Sequence, residues 1–347
     1  MRNSKSRFSQ MLTALFVAVA GIALIQNYSF VNQSFVSGIF SVILSVLLLL
    51  LCIVPTLIVR SKSELSFINF AMRETPSAIV FISMFYALYF VYSAVHFLLK
   101  YSDVCTSTGN RRDAGFVVVF IMLAVCAFAA SKGIGAVARC SLLVFAFAVV
   151  AFALIFSGNI SNLDFSSFSF ELSGGRLQYG TAVFASISFA AVVLGMFEYD
   201  RRIKTKSIFT LLCGISVFLV LVVFFVFFAL GKYGTMQSFQ LFVLSKSAKI
   251  GDVGGFDSFH MSLCAMAVFV LVSLCLICID RVVQKDKCGW CTVIFAAIAY
   301  LFYLTADNYN SVKEIILNPY VFDIFTVLAS FAVPMIYITV FWRRLDA

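Results

Sequence analysis

The sequence predicts an all-α, polytopic membrane protein of about ten transmembrane helices. Three observations predict it. Hydrophobic residues make up 62% of the 347 and charged residues only 12%, where soluble domains have about 25% charged. The mean hydropathy is +1.04. Apolar runs of bilayer-spanning length also follow one another along the whole chain, separated by short polar gaps.

A spanning helix needs about 20 predominantly apolar residues. Windows that satisfy this are 9–30, 37–59, 77–99, 113–131, 139–157, 179–199, 208–231, 258–279, 290–305 and 321–342, the ninth being the shortest. The first window follows the basic residues Arg2, Lys5 and Arg7 and contains the triplet Ala18-Val19-Ala20, features shared with secretory signals. The apolar pattern nevertheless runs past the triplet through Ile22 to Ile25, so a retained first helix is expected.

An even number of crossings puts both termini on one side. Outside are Lys100, Arg111, Arg112, Arg176, Lys232, Lys246, Lys249 and Lys313, which leaves 17 of the 25 basic residues beside the termini. The positive-inside rule then predicts that both ends are cytoplasmic. A net charge of +9 is thus read as membrane orientation, with no cluster on one domain that would suit nucleic acid.

Residues 157–178 form the longest polar stretch in the middle of the chain. They divide one transmembrane domain, 1–342, into a first half of about 9–157 and a second of about 179–342, followed by a cytoplasmic tail, 343–347. Five helices per half means that the second half enters the membrane inverted, the arithmetic of a 5+5 inverted repeat. The run "LTADNYNSVKEIILNPY", 304–320, is expected to hold a short helix before Pro319.

Most cysteines, including Cys52, Cys126, Cys264 and Cys275, lie inside apolar runs, where a thiol behaves as a small hydrophobe. "CGWC", 288–291, has redox or zinc spacing but no second ligand pair beside it, and reads as coincidence at a helix start. His96 and His260 are expected at the outer interface, and Glu198 and Asp200 beside Arg201 and Arg202 at the cytoplasmic one. Asp323 falls close to the start of the tenth helix, which leaves no clear carboxylate at the midplane to carry protons. In the sixth window, Ala185, Ser186, Ser188, Ala190 and Ala191 fit two readings: a small-residue face for close packing, or a broken helix whose backbone meets a ligand.

Four stretches resemble the spore germination permeases, the B-subunit family of spore germinant receptors within the amino acid, polyamine and organocation transporter superfamily. They are "ASKGIGAVARCS", 130–141; "SISFAAVVLGMFEYDRRIKTKS", 186–207; "LTADNYNSVKE", 304–314; and "FAVPMIYITVFWRR", 331–344. The resemblance implies the 5+5 amino acid permease fold, with a site near the midplane between unwound segments of the first and sixth helices. It places Gly21, Ile22, Ser186, Ser188 and Phe189 at that site, for a small nutrient of the amino acid class. It further implies a receptor function in the spore inner membrane beside an integral-membrane subunit and a lipoprotein subunit, with no enzymatic activity and no cofactor. Two departures stand out: the first helix has Gly21 but no following proline, and the sixth has Ser188-Phe189-Ala190 where relatives read Gly-Phe-Glu. A stand-alone transporter of amino acids or organic cations, and a membrane scaffold without a small ligand, are the other readings.

Overall fold

A computed structural model describes residues 4–26, 35–63, 66–74, 79–108, 115–166, 184, 188–197, 205–235, 237–283 and 289–345. The architecture is helical. In chain order the helices are α1 (Ser4–Ile25), α2 (Phe35–Ser63), α3 (Phe67–Glu74), α4 (Ile79–Ser107), α5 (Gly115–Ser131) and α6 (Ile134–Gly158). Then come α7 (residues 188–196), α8 (Thr205–Thr235), α9 (Gln240–Ser247), α10 (Asp257–Val283), α11 (Gly289–Asn308), α12 (Asn310–Leu317), α13 (Pro319–Val327) and α14 (Val333–Leu345). A two-stranded hairpin, β1 (Lys249–Ile250) and β2 (Val253–Gly254), pairs Lys249 with Gly254 and turns through Gly251 at φ 60°.

Seven helices among the described residues are long and apolar enough to cross a membrane, and two shorter apolar helices, Gln10–Ile25 and Gly115–Ser131, accompany them. The chain is a multi-pass membrane protein. Its surface agrees: Leu47, Phe128, Leu143, Phe209 and Leu301 are each more than half exposed around the bundle, where lipid tails replace water.

The centre is made by α4 and α10, which pack along each other. Apolar on every side, α10 buries Cys264, Leu271, Cys275 and Cys278 completely, as a helix surrounded by other helices should. Around this pair α1 touches α6, α8 and α10, and α5 and α11 pack together. Residues 188–197 of the α7 segment are all buried, so α7 also lies inside the bundle.

Between α13 and α14 the helix widens into a π-helical turn, Leu328–Ala332. Pro334 is the local cause. It has no N–H for the Ser330 carbonyl four residues back, and its ring crowds that turn. The polar run before Pro319 does contain the expected short helix, α12, which lies over the end of α4.

Candidate functional site

Gly21 sits where α1 meets α10. A Cβ at that position would lie 2.7 Å from the Ala267 Cβ, so the missing side chain lets two backbones approach. The break expected at Gly21 and Ile22 is not there: α1 is helical through both residues to Ile25, and Ile22 is buried. The reason is the medium. A backbone opened at this depth needs partners that lipid does not supply, and a glycine in tight contact has no cavity to open into. The void beside it, lined by Phe16, Ala20, Leu24 and Ala267, holds only about 10 Å³.

α7 presents Ser188 and Phe189 to the interior, both 0% exposed. Phe189 stands edge-on to Phe90 and Phe97 of α4, with ring centroids 6.5 and 5.4 Å away. The Ser188 hydroxyl has no hydrogen-bond partner among the described residues, an omission that costs about 1–3 kcal/mol in a buried site. Farther along α7, a Cβ on Gly195 would approach Thr56 Oγ1 of α2 to 3.3 Å, so small residues on this helix do serve packing. Ser186, Glu198 and Asp200 lie outside the described residues.

A second polar feature runs along α4. Tyr86, Tyr89, Tyr92, His96, Lys100 and Asp103 recur every three or four residues and therefore share one helical face. Tyr86 donates to the Ala329 carbonyl inside the π turn at 2.7 Å, and the Tyr89 hydroxyl is 3.2 Å from Thr326 Oγ1. Both Tyr92 and His96 Nδ1 reach the Ile316 carbonyl of α12, at 3.2 and 2.7 Å. Since a carbonyl only accepts, His96 Nδ1 bears the hydrogen. The imidazole stacks on Phe322 at 4.5 Å.

His96, expected at the outer interface, is enclosed by protein near the α12 end of α4. It is 2% exposed, because α4 continues eleven residues beyond it, to Ser107, and α12 covers that extension. His260 is likewise fully buried, against Phe242 of α9. At the α12 end, Lys313 bridges Asp103 at 2.7 Å and Asp307 at 3.1 Å. Burial presses its pKa down, but hydrogen bonds and charge from the two aspartates outweigh this and hold it above the ordinary lysine value.

With the bundle and its polar interior described, the comparison with known families is decisive: the profile of the spore germination protein family matches residues 6–312. The chain belongs to that family. Members of the spore germination protein family are transporters or receptors, not enzymes. No curated protein matches the chain. For this spore germination protein, Ser188 and Phe189, named from the sequence, are buried on α7, and the α4 stripe was not named from the sequence. Its signal was present in "FYALYFVYSAVHFLLK", residues 85–100, as polar-tipped side chains at helical spacing within an apolar run. "CGWC" contributes Gly289 to the start of α11, and Cys288 lies outside the described residues.

Proposed function

We propose that this chain is the membrane subunit of a spore germinant receptor, which binds a small nutrient, an amino acid by its family likeness, near the bilayer midplane between α1 and α7. The observation that carries the reading is the fully buried Ser188 hydroxyl, without a partner among the described residues, on a short interior helix beside Phe189. A ligand carboxylate or ammonium is the kind of group that would satisfy it. The 5+5 inverted repeat belongs to the same proposal, with the spans in order being α1, α2, α4, α5, α6, α7, α8, α10, α11 and α13–α14. Its support is a pattern of contacts that survives adding five to each span. The fourth-to-eighth contact has its counterpart in the ninth-to-third, and the third-to-fourth contact in the eighth-to-ninth. Likewise the first-to-eighth contact has its counterpart in the sixth-to-third contact of Phe189 with Phe90. The short helices α3 and α9 follow the second and seventh spans, again five apart.

On this reading both termini face the cytoplasm and the α12 end faces outward. The partners are another integral-membrane subunit, a lipoprotein subunit and the lipids of the spore inner membrane. Ligand binding shifts a two-state bundle by its differential affinity for the two states. The test is a panel of amino acids screened by thermal stabilisation of purified protein, repeated with Ser188→Leu. Stabilisation of wild type and its loss in a folded Ser188→Leu variant is expected; an unchanged response in that variant removes α7 from the site. Counterflow of the stabilising amino acid in proteoliposomes without partner subunits would instead make the chain a carrier.

A further inference from the structure

Among the described residues, Asp323 joins Ser188, His260 and Ser273 as a buried side chain with polar atoms left without a hydrogen-bond partner, and of these it is the carboxylate with both oxygens unpartnered. It lies on α13, one turn beyond Pro319 and Tyr320, five residues before the π turn begins, and is 8% exposed. Neither carboxylate oxygen has a hydrogen-bond partner among the described residues. The ionisable groups that sense its charge are Tyr92 on α4 and Cys52 on α2. Toward the α12 end, the titratable groups include His96, Lys100 and Asp103 on α4, Lys313 and Glu314 on α12 and Tyr320 on α13 itself. Lys313 is already bound to Asp103 and Asp307. An unpaired carboxylate so placed is strongly disfavoured, and neutralisation is the general outcome.

We propose that Asp323 is a proton-binding site, neutral in the conformation described and exchanging its proton with the α12 side of the membrane. Two observations select a proton over a metal cation. First, a hard cation gathers about six oxygen ligands, whereas Asp323 belongs to no group of three or more His, Cys, Asp or Glu side chains among the described residues. Second, the route to solvent is short. A polar pocket of about 520 Å³, lined by Asp103, Lys313, Glu314, Asn318, Pro319 and Tyr320, opens at the N-terminus of α13, one helical turn from Asp323.

The chemistry is simple addition: a hydronium ion in the pocket gives its proton to one carboxylate oxygen, forming the O–H bond, cancelling the charge and leaving a water molecule. Its consequence is conformational. Charging Asp323 in place leaves a buried anion against Tyr92 and Phe322, so the charged form favours any state in which α13 moves toward the pocket. The π turn just beyond it is a place where helical hydrogen bonds can be reset, as π-bulges often are. The inference is independent of the nutrient site, since Ser188 takes no part in it.

The test uses full-length protein in liposomes. Infrared spectra should contain the carbonyl stretch of a protonated carboxylic acid that shifts in deuterated buffer and disappears in Asp323→Asn. Labelling by dicyclohexylcarbodiimide, which attacks protonated carboxyls in apolar surroundings, should map to Asp323 and fall about tenfold per pH unit above its midpoint. Asp323→Glu should retain both signals and so separates loss of the carboxyl from misfolding. Three results would overturn the proposal: an Asp323 signal that does not exchange in deuterated buffer, labelling that does not vary with pH, or loss of the band on adding sodium or potassium at constant pH.

Discussion

Adding one methyl group at Gly21 tests the α1–α10 contact that lies beside the proposed nutrient site. Ordinary contact between carbon atoms begins near 3.4 Å, and a Cβ on Gly21 would be 2.7 Å from the Ala267 Cβ. Gly21→Ala therefore forces the two helices apart by about 0.7 Å along that line, since well-packed interiors do not compress to absorb such overlap. The Ala267 carbonyl carbon and oxygen are also close, at 3.3 and 3.4 Å, so a side-chain rotation does not relieve it. Overpacking of this kind costs about 1–3 kcal/mol. Ala267→Gly alone loses about 1 kcal/mol as a helix glycine, but in the double variant it removes the colliding methyl. The expected double-mutant coupling is thus favourable, about 0.5–3 kcal/mol, read from equilibrium unfolding of the purified protein in mixed detergent. Additive losses would refute the packing argument. Undiminished stability of Gly21→Ala with a lost ligand response would assign Gly21 to the ligand rather than to the helix contact.

Tyr86→Phe removes the hydroxyl that holds the Ala329 carbonyl and should cost about 1 kcal/mol, with faster amide exchange across Leu328–Ala332; no change in either would mean that the π turn does not depend on α4. The Lys313 clamp has a defined sign. Because its pKa is raised on folding, its contribution is fully present below the unfolded value of about 10.4 and disappears as pH rises through the higher folded one. Unfolding midpoints of wild type relative to Lys313→Met should therefore differ by a constant amount from pH 7 to about 10 and converge above; convergence near pH 8 would contradict the assignment. The outcomes stated above for Ser188→Leu and Asp323→Asn complete the set.

Hydrophobic length is a local property, which is why the sequence reading located apolar helices well. Runs such as 258–279 and 37–59 have no alternative to helix once in lipid, because backbone groups there must bond within the segment. Polar burial is not local. His96 sits four residues from Lys100 and reads as an end residue, and the extension of α4 to Ser107 and the cover of α12 are what bury its imidazole in protein. Gly21 shows the same limit in reverse. A lone glycine in an apolar helix fits either a break or a close contact, and only the position of Ala267 on α10, nearly 250 residues away, decides for contact. Ser188 and Phe189 were legible as small and aromatic neighbours in an apolar run, but that Ser188 finds no partner among the described residues depends on how the other helices pack around it.

By itself the sequence determined that this chain enters a membrane many times as helices, and its basic residues set the orientation expected of it. Proline at 334 carried the π turn in the local covalent structure of the chain. Tertiary structure alone decided which polar groups face one another. It placed the α4 stripe against α12 and α13, left Asp323 and Ser188 buried without partners among the described residues, and used Gly21 for contact. The physical reason is that the free energy of a buried polar group depends on what lies across the helix interface from it, and that neighbour is set by packing rather than by sequence order.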